Sequence, residues 1–425
     1  MGVNGRRRFM RLMSAGVLGM TLDCRARSAT MARVIVVGGG FAGSTCARYL
    51  RQGAPGIEVV LVDPDNHYVT CPMSNGVLTG LRSLKSITVT RDGLGTSGVR
   101  YIRERVTQVD AQRRRVRMSG GKYLTYDRLV VAPGIRFLWG SPEGYDEAAS
   151  QRMPHAWVAG AQTQLLATQL RNMRDGGVVA ISVPAGPMRC PPGPFERASL
   201  IAAWLKQHKP RSKVLIFDAN NHFPIQDVFA DFWQRLYPGM VQWIPVVENG
   251  EVQRVDPAKM TFQTAGGEHT ADVINIIPRQ APAAIAMEAG LASSRGWCPV
   301  NPQTFESTLV PDIHVIGDAC IADPMPKAGS AANAQGKALA RALLEALAGR
   351  RPADASFESV CYSLVASDQA LSIHGRFRSG ADGFQQLPPA GESGSPSAAR
   401  EALTARAWYD DIIADAFGPN SPGPV

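Results

Sequence analysis

Short, wholly apolar runs alternate with helix-length amphipathic stretches along most of the chain. Arg33-Val-Ile-Val-Val37 is followed by Gly38-Gly-Gly40-Phe-Ala-Gly43, then by Ser44 to Leu50, a strand, turn and helix in sequence, and a second run, Glu58-Val-Val-Leu-Val62, ends on Asp63. The alternation returns in Val178 to Val183, a helical run from Ala198 to Leu205, and Lys213-Val-Leu-Ile-Phe217 ending on Asp218. Further strands are read at Asp127 to Val131 and Val310 to Ile316, a helix with an alanine-rich packing face at Pro326 to Leu347, and a last helix at Glu401 to Asp415. Strands apolar on both faces and separated by helices predict parallel sheets with helices on both sides. The expected fold class is therefore α/β, with one unit formed by residues 31–152 and 285–350, a second by 153–284, and a smaller C-terminal α+β region at 351–425.

Composition narrows the function classes. The 425 residues are 45% hydrophobic, enough for two or three cores, and the formal charge is +9. Six arginines against one aspartate within residues 1–29 supply most of that charge, so the body of the chain is too weakly basic to predict a nucleic-acid partner. The basic cluster Arg113 to Arg117 precedes Gly120-Gly121 and is expected to decorate a hairpin. Residues 1–30 have the three-part pattern of an export signal: Arg6-Arg7-Arg8-Phe9, the apolar run Leu12 to Leu22, then small residues near Ser28-Ala29. The arginine pair suits the twin-arginine type, which exports folded proteins, and the expected location is the periplasm, or the cytoplasm if Met31 is the true start. Eleven apolar residues are too few to cross a bilayer, and no integral membrane segment is expected elsewhere. The seven cysteines include no C-x-x-C pair and no C-x-x-C-H, which predicts neither a zinc site nor a haem in this chain.

Chemistry enters with the first glycine turn. Gly38 makes the tight turn, Gly40 lets a pyrophosphate approach the helix N-terminus, Gly43 packs helix on strand, and Asp63, twenty residues on, meets the ribose hydroxyls. Asp127 to Gly134 resembles the strand and turn by which flavoproteins with two dinucleotide-binding domains leave the first domain, and Val310 to Ala319 resembles their second FAD motif, with Gly317 and Asp318 at its end. FAD is the implied cofactor. In the second unit the turn after Val183 is Pro184-Ala-Gly-Pro-Met-Arg-Cys190-Pro-Pro-Gly-Pro-Phe-Glu196. Pro191, Pro192 and Pro194 remove N–H donors where a second dinucleotide needs them, so electrons are expected from a donor other than a nicotinamide.

Thr70-Cys71-Pro72, Arg189-Cys190-Pro-Pro-Gly-Pro-Phe-Glu196-Arg-Ala-Ser199, Ile316-Gly-Asp-Ala-Cys320 and Val360-Cys361-Tyr-Ser363 together resemble the flavoprotein subunit of flavocytochrome c sulfide dehydrogenase. The resemblance runs from Val34 to the C-terminus, with a Gly/Pro/Ser-rich departure at Ser379 to Ser397. It implies two Rossmann-like domains of the glutathione reductase type, a covalent link from Cys71 to the flavin, a redox disulfide between Cys190 and Cys361, and a c-type cytochrome subunit as heterodimer partner. It also implies that hydrosulfide is the substrate, with Cys190 accepting sulfide and Cys361 nearer the flavin. A disulfide is an electrophile that hydrosulfide opens to a persulfide and a thiolate, and a helix starting after the Cys190 loop is expected to lower the thiol pKa. Glu196 is read either as a proton carrier or as a helix cap. The helix beginning near Lys327 points at the flavin in this superfamily; Lys327 assists there or lies at the surface. Trp408 approaches the active site or packs in the core. The alternatives are a sulfide:quinone reductase and a non-catalytic flavoprotein with a structural disulfide.

Overall fold

The computed structural model describes residues 32–388 and 397–419; the export-signal reading of residues 1–30 and Cys24 lie outside them. In chain order, the elements that position the site are β1 (Arg33–Val37), α1 (Phe41–Gly53), β2 (Glu58–Val62), α2 (Ser74–Leu78), β3 (Arg100–Ile102), β4 (Arg128–Val131), β5 (Val178–Val183), α3 (Gly193–His208), β6 (Lys213–Asp218), β7 (Val241–Ile244), β8 (Val273–Ile276), β9 (Ile313–Val315), α4 (Gly329–Leu347), β10 (Ser356–Leu364), β11 (Ala370–Gly380), β12 (Gly383–Leu387) and α5 (Ala398–Phe417).

The first sheet is parallel in the order β9-β4-β1-β2-β3. Its central strand is closed to solvent on both faces, with Val34, Ile35 and Val36 fully buried, which is why it reads as an unbroken apolar run. The second sheet is also parallel, β7-β6-β5-β8. Strand order reverses at β1 in one sheet and at β5 in the other, so each sheet has a crevice at the carboxyl end of its central strand, where such folds bind ligands. Residues 356–387 form an antiparallel meander, β10-β11-β12, in which Cys361 pairs with Ile373. The Arg113 to Arg117 cluster runs into the middle strand of an antiparallel sheet made by Val106–Asp110, Arg115–Met118 and Tyr123–Thr125.

Two glycines set the close packing around β1. A Cβ on Gly43 would stand 1.9 Å from the Gly38 carbonyl oxygen, and one on Gly336 of α4 would stand 2.6 Å from that of Ala42. The first lets α1 start directly on the turn, and the second lets α4 lie against α1. Helix α3 begins at Gly193, five residues before the predicted Ala198, because Pro194 falls in the first turn, where a missing N–H costs nothing. Helix α4 begins three residues later than predicted.

Candidate active site

A cavity of about 540 Å³ joins the two crevices, and its wall carries the Gly38–Gly40 turn, Gly134, Gly317 and Asp318 together with Cys71, Cys190 and Cys361. At the first crevice Gly38 holds φ +96°, and a Cβ there would stand 2.3 Å from the Ala132 carbonyl oxygen, so only glycine makes the turn. Asp63 Oδ2 accepts from the Gly39 amide at 2.7 Å, and Oδ1 pairs with Arg91 at 3.0 Å. Arg91 is buried, donates to the Gly39 carbonyl, and lies 5.9 Å from the ring centroids of Tyr68 and Tyr101. Asp318 is held above the usual carboxylate range by burial, against the opposing pull of Arg189 and Lys327.

Whether these residues suit FAD is tested by two features of the wall. A Cβ at Gly40 would have only the Tyr68 phenol within 4 Å, so the turn opens onto the cavity. Further in, Arg189 Nε and Trp157 Nε1 are buried donors with no partner among the described residues, and a cofactor rich in acceptor atoms matches them. The residues fit the group.

The three cysteines come from three separate elements. Cys71 directly precedes the short α2, its Sγ 3.6 Å from the Trp157 carbonyl oxygen, which also accepts from Arg189. Its neighbour Thr70 is pinned to Tyr409 of α5 at 2.9 Å. Cys190 has φ +54°, a left-handed conformation that a non-glycine residue adopts only when its surroundings enforce it. Here its amide donates to the Lys327 carbonyl at 2.8 Å and its carbonyl accepts from Gly193 at 2.9 Å. A Cβ on Gly193 would stand 2.9 Å from the Cys190 sulfur, so that glycine keeps the start of α3 open to the thiol. Cys361, on β10, shares the cavity wall with Ser330 in the first turn of α4, whose hydroxyl is bonded to Ser359 at 2.9 Å. The expected bridge is not formed in this structure, where Cys190 and Cys361 are both thiols.

The expectation of a lowered thiol pKa is corrected. Burial pushes Cys361 up to about 11, and it raises Cys190 well above an ordinary thiol, with Cys361, Glu196 and Cys71 adding to the rise and Arg189 opposing it. Removal from water and three neighbouring acids outweigh the one cation. In the disulfide neither sulfur carries a charge, so these costs fall on the reduced pair alone.

Glu196 is buried on the first turn of α3 but does not cap its own helix. Its Oε2 accepts from Asn75 of α2 at 2.7 Å and its Oε1 from the Leu364 amide of β10 at 3.0 Å. One carboxylate thereby joins the segments that carry Cys71, Cys190 and Cys361. Burial pushes it up to about 6, against the bonds from Asn75 and Leu364 and the Arg197 charge. Arg197 is buried among acceptors, bonding Asn75, Asn275 and the carbonyls of His155 and Ala156.

Two other expectations change. Lys327 is half-buried and outside the cavity lining: its ammonium donates to the carbonyls of Asp318 and Cys320 at 2.9 and 2.8 Å and sits 3.9 Å from the Trp297 ring centroid. Trp408 lies on the cavity wall, 5.4 Å from the Tyr362 ring, and is at the same time packed, partly buried, against the core. Cys46, Cys298 and Cys320 are buried core thiols. In the second crevice, the amides of Arg189, Cys190 and Gly193 are spent on Gln280, Lys327 and Cys190. Buried Asp218 accepts from Trp243 and Asn220, so this crevice offers neither the donors nor the free acid of a dinucleotide site. Arg91, Asn75 and Arg197 were not singled out from sequence. Arg91 has no local motif, whereas Asn75 and Arg197 lie four residues after Cys71 and next to Glu196. Among the described residues no three His, Cys, Asp or Glu side chains could hold a metal.

Comparison with known proteins bears on this arrangement. Residues 163–278 match the family model described as sulfide dehydrogenase [flavocytochrome c] flavoprotein chain, central, and residues 353–417 match flavocytochrome c sulphide dehydrogenase, flavin-binding. Residues 32–150 match pyridine nucleotide-disulphide oxidoreductase. A sulfide dehydrogenase [flavocytochrome c] flavoprotein chain of Chlorobaculum thiosulfatiphilum is 58% identical over 45 residues, 11% of this chain and 94% of that one. The mitochondrial sulfide:quinone oxidoreductase of Mus musculus is 22% identical over 363 residues, covering 81% of this chain and 78% of the mouse protein. The crystal structure of the sulfide:quinone oxidoreductase of Aquifex aeolicus superposes with a TM-score of 0.75 at 18% identity, covering 92% of each chain. The chain is therefore a flavoprotein like those of flavocytochrome c sulfide dehydrogenase and the sulfide:quinone oxidoreductases, the matches support a flavin-dependent sulfide oxidoreductase, and its fold is the mixed α/β fold with two dinucleotide-binding domains.

Proposed function

We propose that this chain is the flavoprotein of a periplasmic sulfide:cytochrome c oxidoreductase, taking electrons from hydrosulfide through a Cys190–Cys361 disulfide. The observation that carries the reading is that both thiols, Cys71 and Glu196 share one cavity wall with the Gly38–Gly40 turn. Hydrosulfide attacks Cys190, the S–S bond breaks, a persulfide forms on Cys190, and Cys361 leaves as a thiolate beside Ser330 and the first turn of α4. Glu196 takes the persulfide proton. FAD, when bound, supplies a two-electron acceptor that can release its electrons singly. Gly38, Gly40, Gly43, Asp63, Gly134, Gly317 and Asp318 would hold it, with Cys71 as the covalent anchor. The export pattern of residues 1–30 supports the periplasmic assignment.

Support for a cytochrome acceptor comes from the two flavocytochrome c family matches and the Chlorobaculum relative. The sequence contains no C-x-x-C-H motif, and in this reading the haem is carried by a separate subunit. A quinone acceptor is the second reading, favoured by the mouse and Aquifex relatives; no helix of the described residues is long and apolar enough to cross a membrane. Purified protein given sulfide with either cytochrome c or a soluble quinone separates the two. Cytochrome reduction is expected, and reduction of the quinone alone would overturn the acceptor assignment.

A further inference from the structure

The hydrogen bonds behind Glu196 are locked in direction from the protein interior outward. Asn275 is buried, and its Nδ2 donates to the carbonyls of Pro154 and His155 at 2.6 and 2.9 Å, so its Oδ1 must face Arg197, 2.7 Å away. A guanidinium only donates. Arg197 Nε lies 3.0 Å from Asn75, so the atom there is Oδ1 and the amide nitrogen is turned towards Glu196 Oε2 at 2.7 Å. The other oxygen, Oε1, faces a backbone amide, Leu364 N–H, at 3.0 Å. Neither of these two partners can reverse and accept a proton from the carboxyl group.

We infer that Asn75, with its amide direction set by Arg197, is a positioning residue that fixes Glu196 Oε2 as an acceptor, as the Leu364 amide fixes Oε1, so that the route left for the Glu196 proton is on the cavity side. A proton on Glu196 then occupies a lone pair facing the wall shared with Cys190 and Cys361. The inference deepens the sulfide-oxidising reading and rests on it. In the step concerned, the persulfide on Cys190 loses its S–H proton, the S–H bond breaks, and an O–H bond forms on Glu196; no electrons change hands. The proton cannot pass inward to Asn75, so it returns to solvent through the cavity. The charged and titratable groups around the carboxylate are Arg197, Cys190 and Cys361, with His155 beyond Arg197. Burial, Arg197 and Arg189 press the His155 pKa down to about 3, so that ring is a neutral bystander. Asn75 Nδ2 also meets the Gly193 carbonyl at 3.2 Å, which ties the relay to the start of α3.

The test uses the FAD-loaded enzyme and two readouts, the acid limb of kcat/KM expressed per hydrosulfide ion and the pH titration of the infrared carboxyl band that vanishes in Glu196→Gln. Asn75→Asp preserves the shape and the acceptor for Arg197 but cannot donate to Glu196; Asn75→Ala removes both. Losing one charge-assisted donor shifts a carboxyl by about one pKa unit. Both readouts are therefore expected to move up by about one pH unit in Asn75→Ala and further in Asn75→Asp, where a second carboxylate repels the first. Folded, flavin-loaded variants in which band and limb stay where they are would overturn the inference. If the band moves in the variants but wild-type protein does not oxidise sulfide, the positioning role stands and the sulfide-oxidising reading falls. Asn75→Asp, nearly isosteric, serves if Asn75→Ala does not fold.

Discussion

At the residue scale, the site is decided by what burial does to acids and thiols. Cys361 at about 11 and Cys190, raised by burial well above an ordinary thiol, are neutral as free thiols near neutral pH, so the buried pair does not stabilise its reduced form as a thiolate, and the bridged state loses nothing by comparison. Glu196, held at about 6 by burial, is ionised and able to accept a proton above that value. Replacing it with glutamine is expected to cut kcat/KM by roughly 10²- to 10⁴-fold, the range for a lost general base. The sign of the pH effect follows from the same value. The competent form is the carboxylate, so wild-type kcat/KM, expressed per hydrosulfide ion so that protonation of the substrate drops out, should fall about tenfold per pH unit below about 6, and this limb should be missing from Glu196→Gln. A pH series of initial rates on both proteins checks it.

At the element scale, each reactive residue hangs from the start of a helix or from a strand facing one, and the helices are clamped to each other. Asp415 of α5 pairs with Lys337 of α4 at 2.7 Å and accepts from Tyr49 of α1 and Asn333 of α4, each at 2.8 Å. Burial raises this carboxyl, but these bonds overcome the rise and hold it below its usual range. A depressed acid stabilises the fold above its unfolded pKa and loses that contribution as pH falls through its folded value. Asp415→Ala should therefore cost about 1–3 kcal/mol at neutral pH and much less in acid, with faster hydrogen exchange over Ala398–Phe417. Gly43→Ala meets the Gly38 carbonyl at 1.9 Å and should cost about 1–3 kcal/mol or more and weaken FAD retention, read by melting and by flavin absorbance after gel filtration. The β1 turn was legible in sequence because its strand, glycines and acid lie within thirty-one residues and each has a local job. The start of α3 was read late because the prolines that mark the loop as rigid are also tolerated in a first turn. The fate of Lys327 was not legible at all. A lysine beside a helix start reads as a free cation, and only the fold brings the carbonyls of Asp318 and Cys320 and the Trp297 ring around it.

At the scale of the whole molecule, two parallel sheets turn their carboxyl ends towards one cavity, and the antiparallel meander with α5 closes the side where Cys361 and Trp408 stand. Sequence motifs identified the ends of this arrangement, the glycine turn and the Cys-Pro-Pro-Gly-Pro loop. They could not supply the middle, because Asn75, Glu196 and Leu364 lie on three elements far apart in the chain and meet only when the domains close on each other. Covalent attachment through Cys71 is read directly from the mass of the denatured protein, which should exceed the mass of the chain by one FAD and return to it in Cys71→Ser. The central claim, that electrons from sulfide pass through the Cys190–Cys361 pair, is tested most directly by anaerobic stopped-flow reduction of the bound flavin by sulfide, comparing the wild type with Cys361→Ser. The account predicts rapid bleaching in the wild type and a rate lower by on the order of 10⁴-fold in the variant; bleaching at the wild-type rate in Cys361→Ser would contradict it.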